Sequence, residues 1–335
     1  MDSSTPPDSA ASAPARERLG RLRPTAALPT RIRLRRFAGP ADHARRLDVP
    51  IRIAHLTDLH VGAVTPLKVQ REAVELTNAQ RPDLVLLTGD FVCHGQGYLD
   101  ALEEIVSGFR APVFAVLGNH DYWSGAAEVR WALRRAGAEV LSNANTVVPI
   151  GHERIQLVGL DDAYTGHADR EAAIKGLRPD LPAVGLSHIA EEADGLWAAG
   201  VPLVLAGHTH GGQITLARLH EIALGHVAGH RYVHGIYGSR SGGGNGSAPG
   251  AVYVGAGIGA SVMPVRLGHR GQREVALFEL GIPPGAFPEP LEEQEPLPGR
   301  PPTERKQAKR VAKVARKEFK RERRARRRRG RKRRW

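Results

Sequence analysis

The sequence predicts an α/β fold with a largely parallel sheet, and three observations lead there. Short apolar runs recur at 51–57 (IRIAHLT), 83–88 (DLVLLT) and 112–117 (PVFAVL), each of a length suited to a strand buried on both faces. Segments with helical spacing of apolar residues lie between these runs. Several of the runs end in a cluster of Asp, His, Asn and Gly.

Residues 1–30 are rich in Pro, Ala, Ser and Arg without periodicity, and are expected to be a disordered N-terminal segment. From Arg31 the chain becomes regular, and the main domain is expected over 31–281. Between the first two strands, 66–80 reads as a helix carrying Leu67, Val69, Ala73, Val74 and Leu76. Between the second and third, 98–109 reads likewise, with Leu99, Leu102, Ile105 and Val106. A helix over 125–136 leads to a short strand at Glu139–Leu141. Strands follow at 154–159 and 182–187, then a helix at 189–199 and the strand 201–207. Further strands are expected at 213–216, 251–256 and 273–279, with Ser241 to Gly250 a flexible Gly/Ser loop. Residues 283–302 hold 8 of the 24 prolines, so 282–302 reads as an extended linker. Residues 303–335 form a Lys/Arg-rich tail, expected to be disordered, with helix over 304–328 when it meets a charged surface.

Charge is distributed unevenly. The chain carries a formal +13, but residues 301–335 alone hold 19 Lys/Arg against 3 Asp/Glu, while 51–300 hold 19 against 27. The body is therefore mildly acidic. A basic nucleic-acid-binding fold would spread its cations over the folded surface, so that class is disfavoured for the body. The single cysteine, Cys93, excludes an intramolecular disulfide and a thiolate-cluster zinc site. No apolar run reaches the ~18 residues of a membrane-spanning helix. No signal peptide is recognisable: Arg35-Arg36-Phe37 resembles a twin-arginine signal, but Ala38 to Asp48 is too polar to complete one. The expectation is a cytoplasmic protein, peripheral at the membrane if its tail meets anionic lipid.

The chemistry gathers at the strand ends, where open α/β sheets bind ligands. The first strand ends in Thr57-Asp58-Leu59-His60, the second in Gly89-Asp90, and the third in Gly118-Asn119-His120-Asp121. Later strands end in Ser187-His188 and in His208-Thr209-His210-Gly211-Gly212. Asp58 and His60 are two apart, as are His208 and His210, so each pair projects to one side of an extended segment. Asp90 is expected to bridge two ions with its two oxygens, with Asn119 and His188 completing the shell of the second ion. Mixed carboxylate, imidazole and amide donors suit Mn, Zn or Fe.

DLH, GD, GNHD, SH and GHTHGG in this order resemble the calcineurin-like metallophosphoesterases over about 50–280. GHTHGGQI, RYVHGIY and VYVGAGIGASVMPVRLG are similar to the bacterial YkuE/YaeI-type phosphodiesterase branch. The resemblance implies a four-layer αββα sandwich with a dinuclear metal site. It implies one divalent ion on Asp58, His60, Asp90 and His210, and a second on Asp90, Asn119, His188 and His208. His120 would be the general acid, and a hydroxide bridging the ions would attack phosphorus. Many relatives carry an acid three residues after the bridging Asp that pairs with the catalytic His. Here Cys93 holds that place, and a thiol cannot support an imidazolium as a carboxylate does, which leaves Asp121 as possible support for His120.

The expected function is a metal-dependent phosphohydrolase, a phosphodiesterase acting on a phosphoester or pyrophosphate. Relatives of the branch cleave a UDP-2,3-diacylglucosamine-type lipid pyrophosphate. Residues 213–267 would then supply a substrate rim, with Ile214, Leu216, Ile222, Ile236 and Tyr237 as lipid contacts or as core. The alternative is a nucleic-acid- or membrane-surface-binding protein with a structural or vestigial metal site. For the tail, anionic lipid ranks above nucleic acid as a partner. His55 is expected to be packed inside its strand, Cys93 to be a small buried hydrophobe, and His230 and His234 to flank the substrate loop.

Overall fold

The computed structural model describes residues 32–93, 95–212, 229–242, 250–260, 271–299 and 301–332, with side chains described as far as 324. The expected N-terminal segment, the strand at 213–216 and Ile214, Leu216 and Ile222 lie outside these residues, as does most of the Gly/Ser loop.

Two sheets form the centre. The first contains β1 (Arg33–Ala38), β2 (Ile51–Leu56), β3 (Leu84–Thr88), β4 (Val113–Val116), β5 (Ala138–Val140) and β12 (Glu274–Leu280), in the order β1-β12-β2-β3-β4-β5. Strands β2 to β5 run parallel, and β12 is antiparallel to β2. The second sheet contains β6 (Ala144–Ile150), β7 (Glu153–Gly159), β8 (Ala183–Leu186), β9 (Leu203–Ala206), β10 (Gly235–Gly238), β11 (Ala251–Val254) and β13 (Glu293–Gln294), in the order β13-β10-β11-β9-β8-β7-β6.

Alternation along the strands builds the layers. Ile51, Ile53, Leu84, Leu86 and Phe114 meet Leu157, Val184, Leu186, Leu203 and Tyr253 between the sheets. Ala54, Leu56, Val85 and Leu87 point the other way. They pack under helices α2 (Leu67–Ala79), α3 (Leu99–Ser107) and α5 (Ala126–Arg135), which follow α1 (Ala41–Arg46) and flank the short α4 (Asn119–Ser124). Val158, Val204 and Val252 turn outward on the second sheet, under α6 (Arg170–Ile174) and α7 (Ala193–Ala198). The result is the four-layer αββα order.

Three features differ from the sequence reading. β1 pairs in parallel with β12, more than two hundred residues away, and its arginines are held there: Arg35 by Glu274 and Arg36 by Glu279. The proline-rich segment is bound to the body, since β13 pairs with β10 and Arg240 takes both Glu289 and Glu293. The tail expected to be disordered forms a helix, α8 (Glu304–Lys332). Val314 is its anchor, 3% exposed within the core on the outer side of the first sheet, while Phe319 is exposed.

Candidate metal centre

Strands β2, β3, β4, β8 and β9 all end at one edge of the sandwich, in register. The chain turns sharply there. Of the seven described non-glycine residues with positive φ, five are Asp58, His60, Asp90, His208 and His210. Left-handed backbone at such residues costs energy that the surroundings must offset, and it clusters at functional sites. The turns are held by Asp58 N–H donating to Gly89 O at 3.0 Å and His60 N–H to Asp90 O at 2.9 Å. Glycine is required where neighbours crowd in: a Cβ on Gly118 would lie 2.4 Å from Asp90 Oδ1, and one on Gly207 1.9 Å from Thr57 Oγ1.

Three groups of donors result among the described residues, and two of them share Asp90. Asp58, His60, Asp90 and His210 bring their ligand atoms within 4.8 Å of one another, and Asp90, His188 and His208 do the same. Asp90 belongs to both, through one oxygen. Oδ2 lies 3.5 Å from His60 Nε2 and 3.4 Å from His188 Nε2, while Oδ1 accepts the His120 backbone N–H at 2.8 Å. His60 Nε2 and His210 Nε2 face each other at 3.0 Å, and His208 Nδ1 is 3.3 Å from His188 Nε2.

Orphaned polar atoms show that this donor set suits cations. Asp58 Oδ1 and Asn119 Oδ1 are buried with no hydrogen-bond partner among the described residues, and buried polar atoms are rarely left so. Burial pushes Asp58 up, reinforced by Asp90 and opposed by His188. Burial lowers His60 to about 3, despite Asp90. His188 behaves oppositely: burial works against its charge, but Asp90, then Asp58 and Asp162, raise it to about 10. Its Nδ1 donates to Thr88 O at 2.7 Å, which directs Nε2 at Asp90 and His208. Such outer contacts orient metal-ligating imidazoles.

His120 is partly exposed at the mouth, its ring edge-on to His60 at 4.9 Å. Asp121 is turned away from that ring. Its Oδ1 accepts Phe91 N–H at 2.8 Å and Val92 N–H at 3.3 Å, and its Oδ2 accepts Gly118 N–H at 2.9 Å. It ties the Gly89-Asp90 and Gly118-Asn119 turns together, the role of an acid in the first turn of α4. Burial and the Asp90 charge push it up to about 8. Cys93 is buried, and its sulfur lies within 4.8 Å of ring nitrogens of His60 and His120. Burial raises its thiol to about 11.

Several remaining residues now have places. His55 packs against Tyr253 and meets Thr88 Oγ1 at 2.8 Å. His234 is buried on Glu274 at 3.0 Å, far from a substrate role, whereas the His230 ring lies 5.3 Å from that of His208. Ile236 and Tyr237 are core. Glu274 also accepts the Ala256 N–H at 2.9 Å, fixing the Gly255–Gly257 turn behind Asp58. Sequence reasoning missed the aromatic rim: Trp123, 4.7 Å from the His120 ring, and Tyr164, 5.2 Å from the His208 ring. Trp123 follows His120 by three positions on α4, a spacing that places both on one helical face.

Comparison with known proteins agrees with this geometry. The chain is 32% identical to Phosphodiesterase YaeI of Escherichia coli over 239 residues, covering 69% of this chain and 82% of that protein. It is 27% identical to the uncharacterized metallophosphoesterase YkuE of Bacillus subtilis over 235 residues, or 68% of this chain and 78% of that one. It is 26% identical to the UDP-2,3-diacylglucosamine pyrophosphatase LpxG of Chlamydia trachomatis, over 50% of this chain and 65% of that protein. The family model for calcineurin-like phosphoesterases matches residues 51–212. That span runs from β2 to the turn after β9 and carries every donor of both clusters, and the chain belongs to the calcineurin-like phosphoesterases.

Proposed function

We propose that this metallophosphoesterase is a phosphodiesterase that cleaves a phosphoester or pyrophosphate bond at the ends of β2, β3, β4, β8 and β9. The observation that carries the reading is the pair of donor clusters sharing Asp90 Oδ2. Asp58, His60, Asp90 and His210 hold one divalent cation, and Asp90, Asn119, His188 and His208 the other. Mn, Zn or Fe suit this imidazole-rich set. Bound there, the cations supply Lewis acidity toward water and the phosphoryl oxygens.

The protein's own groups do the rest. The left-handed turns pre-set the donors, so little reorganisation is left for binding. His120 gives a ring proton to the leaving oxygen, a contribution typically worth ~10²–10⁴-fold. Its backbone N–H on Asp90 Oδ1 keeps it in step with the shared ligand. Asp121 holds the two turns that present Asp90 and Asn119. The likeness to a protein named for a lipid-linked pyrophosphate supports a substrate of that kind. The surplus of cations on α8 supports a peripheral position on an anionic cytoplasmic surface. Among the described residues no helix is long and apolar enough to cross a membrane.

Bis-p-nitrophenyl phosphate turnover with Mn²⁺, against a chelator control, tests the reading. Asp90→Asn should lose bound metal and turnover together. Metal-independent turnover, or full activity in metal-stripped Asp90→Asn protein, would refute it and leave the clusters a structural role.

A further inference from the structure

The C-terminal helix α8 lies along the mouth of the site and joins the loop after β7 to helix α4. Gln307 Nε2 donates to Ala163 O at 3.1 Å in the loop after β7. Arg321 donates to Trp123 O at 3.0 Å in α4. Between these ties, one helical face turns three cations onto the aromatic rim. Arg310 Cζ is 3.8 Å from the Tyr164 ring centre, and Lys313 Nζ and Lys317 Nζ are 3.5 and 4.8 Å from that of Trp123. Those rings in turn touch His208 and His120. The cations therefore stand one ring away from the reacting centre, on the scale of the ~10 Å Debye length.

This wall has donors in excess. None of Arg310, Lys313 and Lys317 is ion-paired with a carboxylate among the described residues. Arg310 Nε and Trp123 Nε1 are both buried without a hydrogen-bond partner among the described residues. Two orphaned donors and three cations along one face lack only acceptor oxygens and negative charge. Partial burial already disfavours the charge on both lysines, and Lys313 and Arg321 add repulsion at Lys317. An anion relieves both costs, and phosphate oxygens accept from Arg, Lys and indole N–H alike.

We propose that Arg310, Lys313, Lys317 and the Trp123 indole form an anion subsite on the rim, which takes a second phosphate of the substrate beyond the scissile one. The assignment of that phosphate to a substrate rests on the phosphodiesterase reading above. The C-terminal segment is then part of the specificity machinery. It selects substrates with two charged groups over singly charged diesters.

Two p-nitrophenyl esters differing only in a second phosphate provide the test: thymidine 5′-(p-nitrophenyl phosphate) with and without a 3′-phosphate. The full-length wild type should prefer the doubly charged ester. Arg310→Gln/Lys313→Gln/Lys317→Gln should lose that preference at least tenfold, chiefly through KM for the doubly charged ester. Arg305→Gln/Arg316→Gln/Arg323→Gln, which removes three exposed cations from the same helix, should keep it. So should Arg310→Lys/Lys313→Arg/Lys317→Arg, which guards against misfolding as the cause. Inorganic pyrophosphate is titrated separately into chelator-treated protein and followed by tryptophan fluorescence. Wild type should bind at least tenfold tighter than the triple Gln variant. If neither ester is hydrolysed with any metal, the phosphodiesterase reading falls, and this titration still decides the subsite. Vesicles of phosphatidylglycerol added as competitor separate two sources of phosphate: displacement of pyrophosphate puts a lipid headgroup in the subsite, and its absence leaves a soluble phosphate there. Absence of pyrophosphate binding by the wild type, equal binding by the triple Gln variant, or equal loss in the Arg305/Arg316/Arg323 variant would overturn the subsite.

Discussion

Val314 decides whether α8 is bound to the body or merely follows it. It is 3% exposed in a helix otherwise dominated by Lys and Arg. Burying a valine contributes ~1.5–2 kcal/mol. Three cation–π contacts add ~0.5–1 kcal/mol each, and the hydrogen bonds of Gln307 and Arg321 ~1 kcal/mol each. Ordering the long side chains offsets part of this gross gain, leaving a net docking energy of a few kcal/mol. Val314→Ala removes two methyl groups, worth ~1.5 kcal/mol, or roughly tenfold in the docking equilibrium. Val314→Asp loses the whole apolar contribution and strands a carboxylate against the core, a cost of several kcal/mol. That exceeds the net docking energy, so the helix should detach. Amide hydrogen exchange over 307–321 reads the opening equilibrium directly. Exchange should quicken about tenfold in Val314→Ala and approach the unprotected rate in Val314→Asp. Phe319→Asp alters an exposed residue of the same helix and serves as the control, with far smaller change. Equal exchange in Val314→Asp and Phe319→Asp would refute docking through Val314.

Gly207→Ala places a methyl 1.9 Å from Thr57 Oγ1 and 2.5 Å from Asp58 Oδ2. Overpacking of this kind costs ~1–3 kcal/mol, so bound metal by elemental analysis and the melting temperature should both fall. Asp121→Asn turns an acceptor of Gly118, Phe91 or Val92 N–H into a donor, with an expected loss of ~1.5–3 kcal/mol in urea unfolding above about pH 8, where the carboxylate is charged; unchanged stability would contradict the assignment. His43 is lowered by burial from 6.5 to about 4, with Nε2 against Ala183 O at 3.0 Å. The unfolded chain therefore takes up the proton first as pH falls, so stability is full above about pH 6.5 and drains toward pH 4 by up to ~1.4 kcal/mol per unit. His43→Gln should flatten that slope between pH 6.5 and 4 by the same amount, and an unaltered slope would rule out His43 as its source.

Strands β2, β3 and β4 were legible because burial on both faces leaves short, unbroken apolar runs. Helices α2, α3 and α5 were legible from their amphipathic spacing. The donor residues were legible because chemistry demands particular side chains at strand ends, and glycines beside them mark tight turns. What stayed hidden depends on distant partners. RLRRFA reads poorly as a strand, since its arginines find Glu274 and Glu279 only after the chain has returned as β12. The proline-rich stretch looked unattached because Arg240 holds it through Glu289 and Glu293. Asp121 is adjacent to His120 in sequence, but its helix turns the carboxylate onto backbone N–H groups instead. Of the apolar residues Val311, Val314 and Phe319 in the tail, only Val314 is buried, too little to signal a docked helix. The other contacts of α8 use aromatic faces and backbone carbonyls, which a count of apolar residues does not register.

The position of α8 changes the meaning of the charge imbalance. A solvated tail with 19 Lys/Arg and 3 Asp/Glu in its last 35 residues would act on the site only through its long-range field, which salt screens. A docked helix acts at contact distance through a few residues. Arg310, Lys313 and Lys317 lie against the rim rings, while Arg305, Arg316 and Arg323 have no such ring contact among the described residues and are exposed. On the two proposals above, one helix would present cations to a substrate on its inner face and to an anionic surface on its outer face. Salt separates the two roles. Surface attraction, at ~1 kcal/mol per basic residue, falls off within a Debye length and weakens steeply as salt rises. Partly buried groups with orphaned donors are screened much less. Raising the salt should therefore release the protein from anionic vesicles well before it abolishes the preference for a doubly charged substrate.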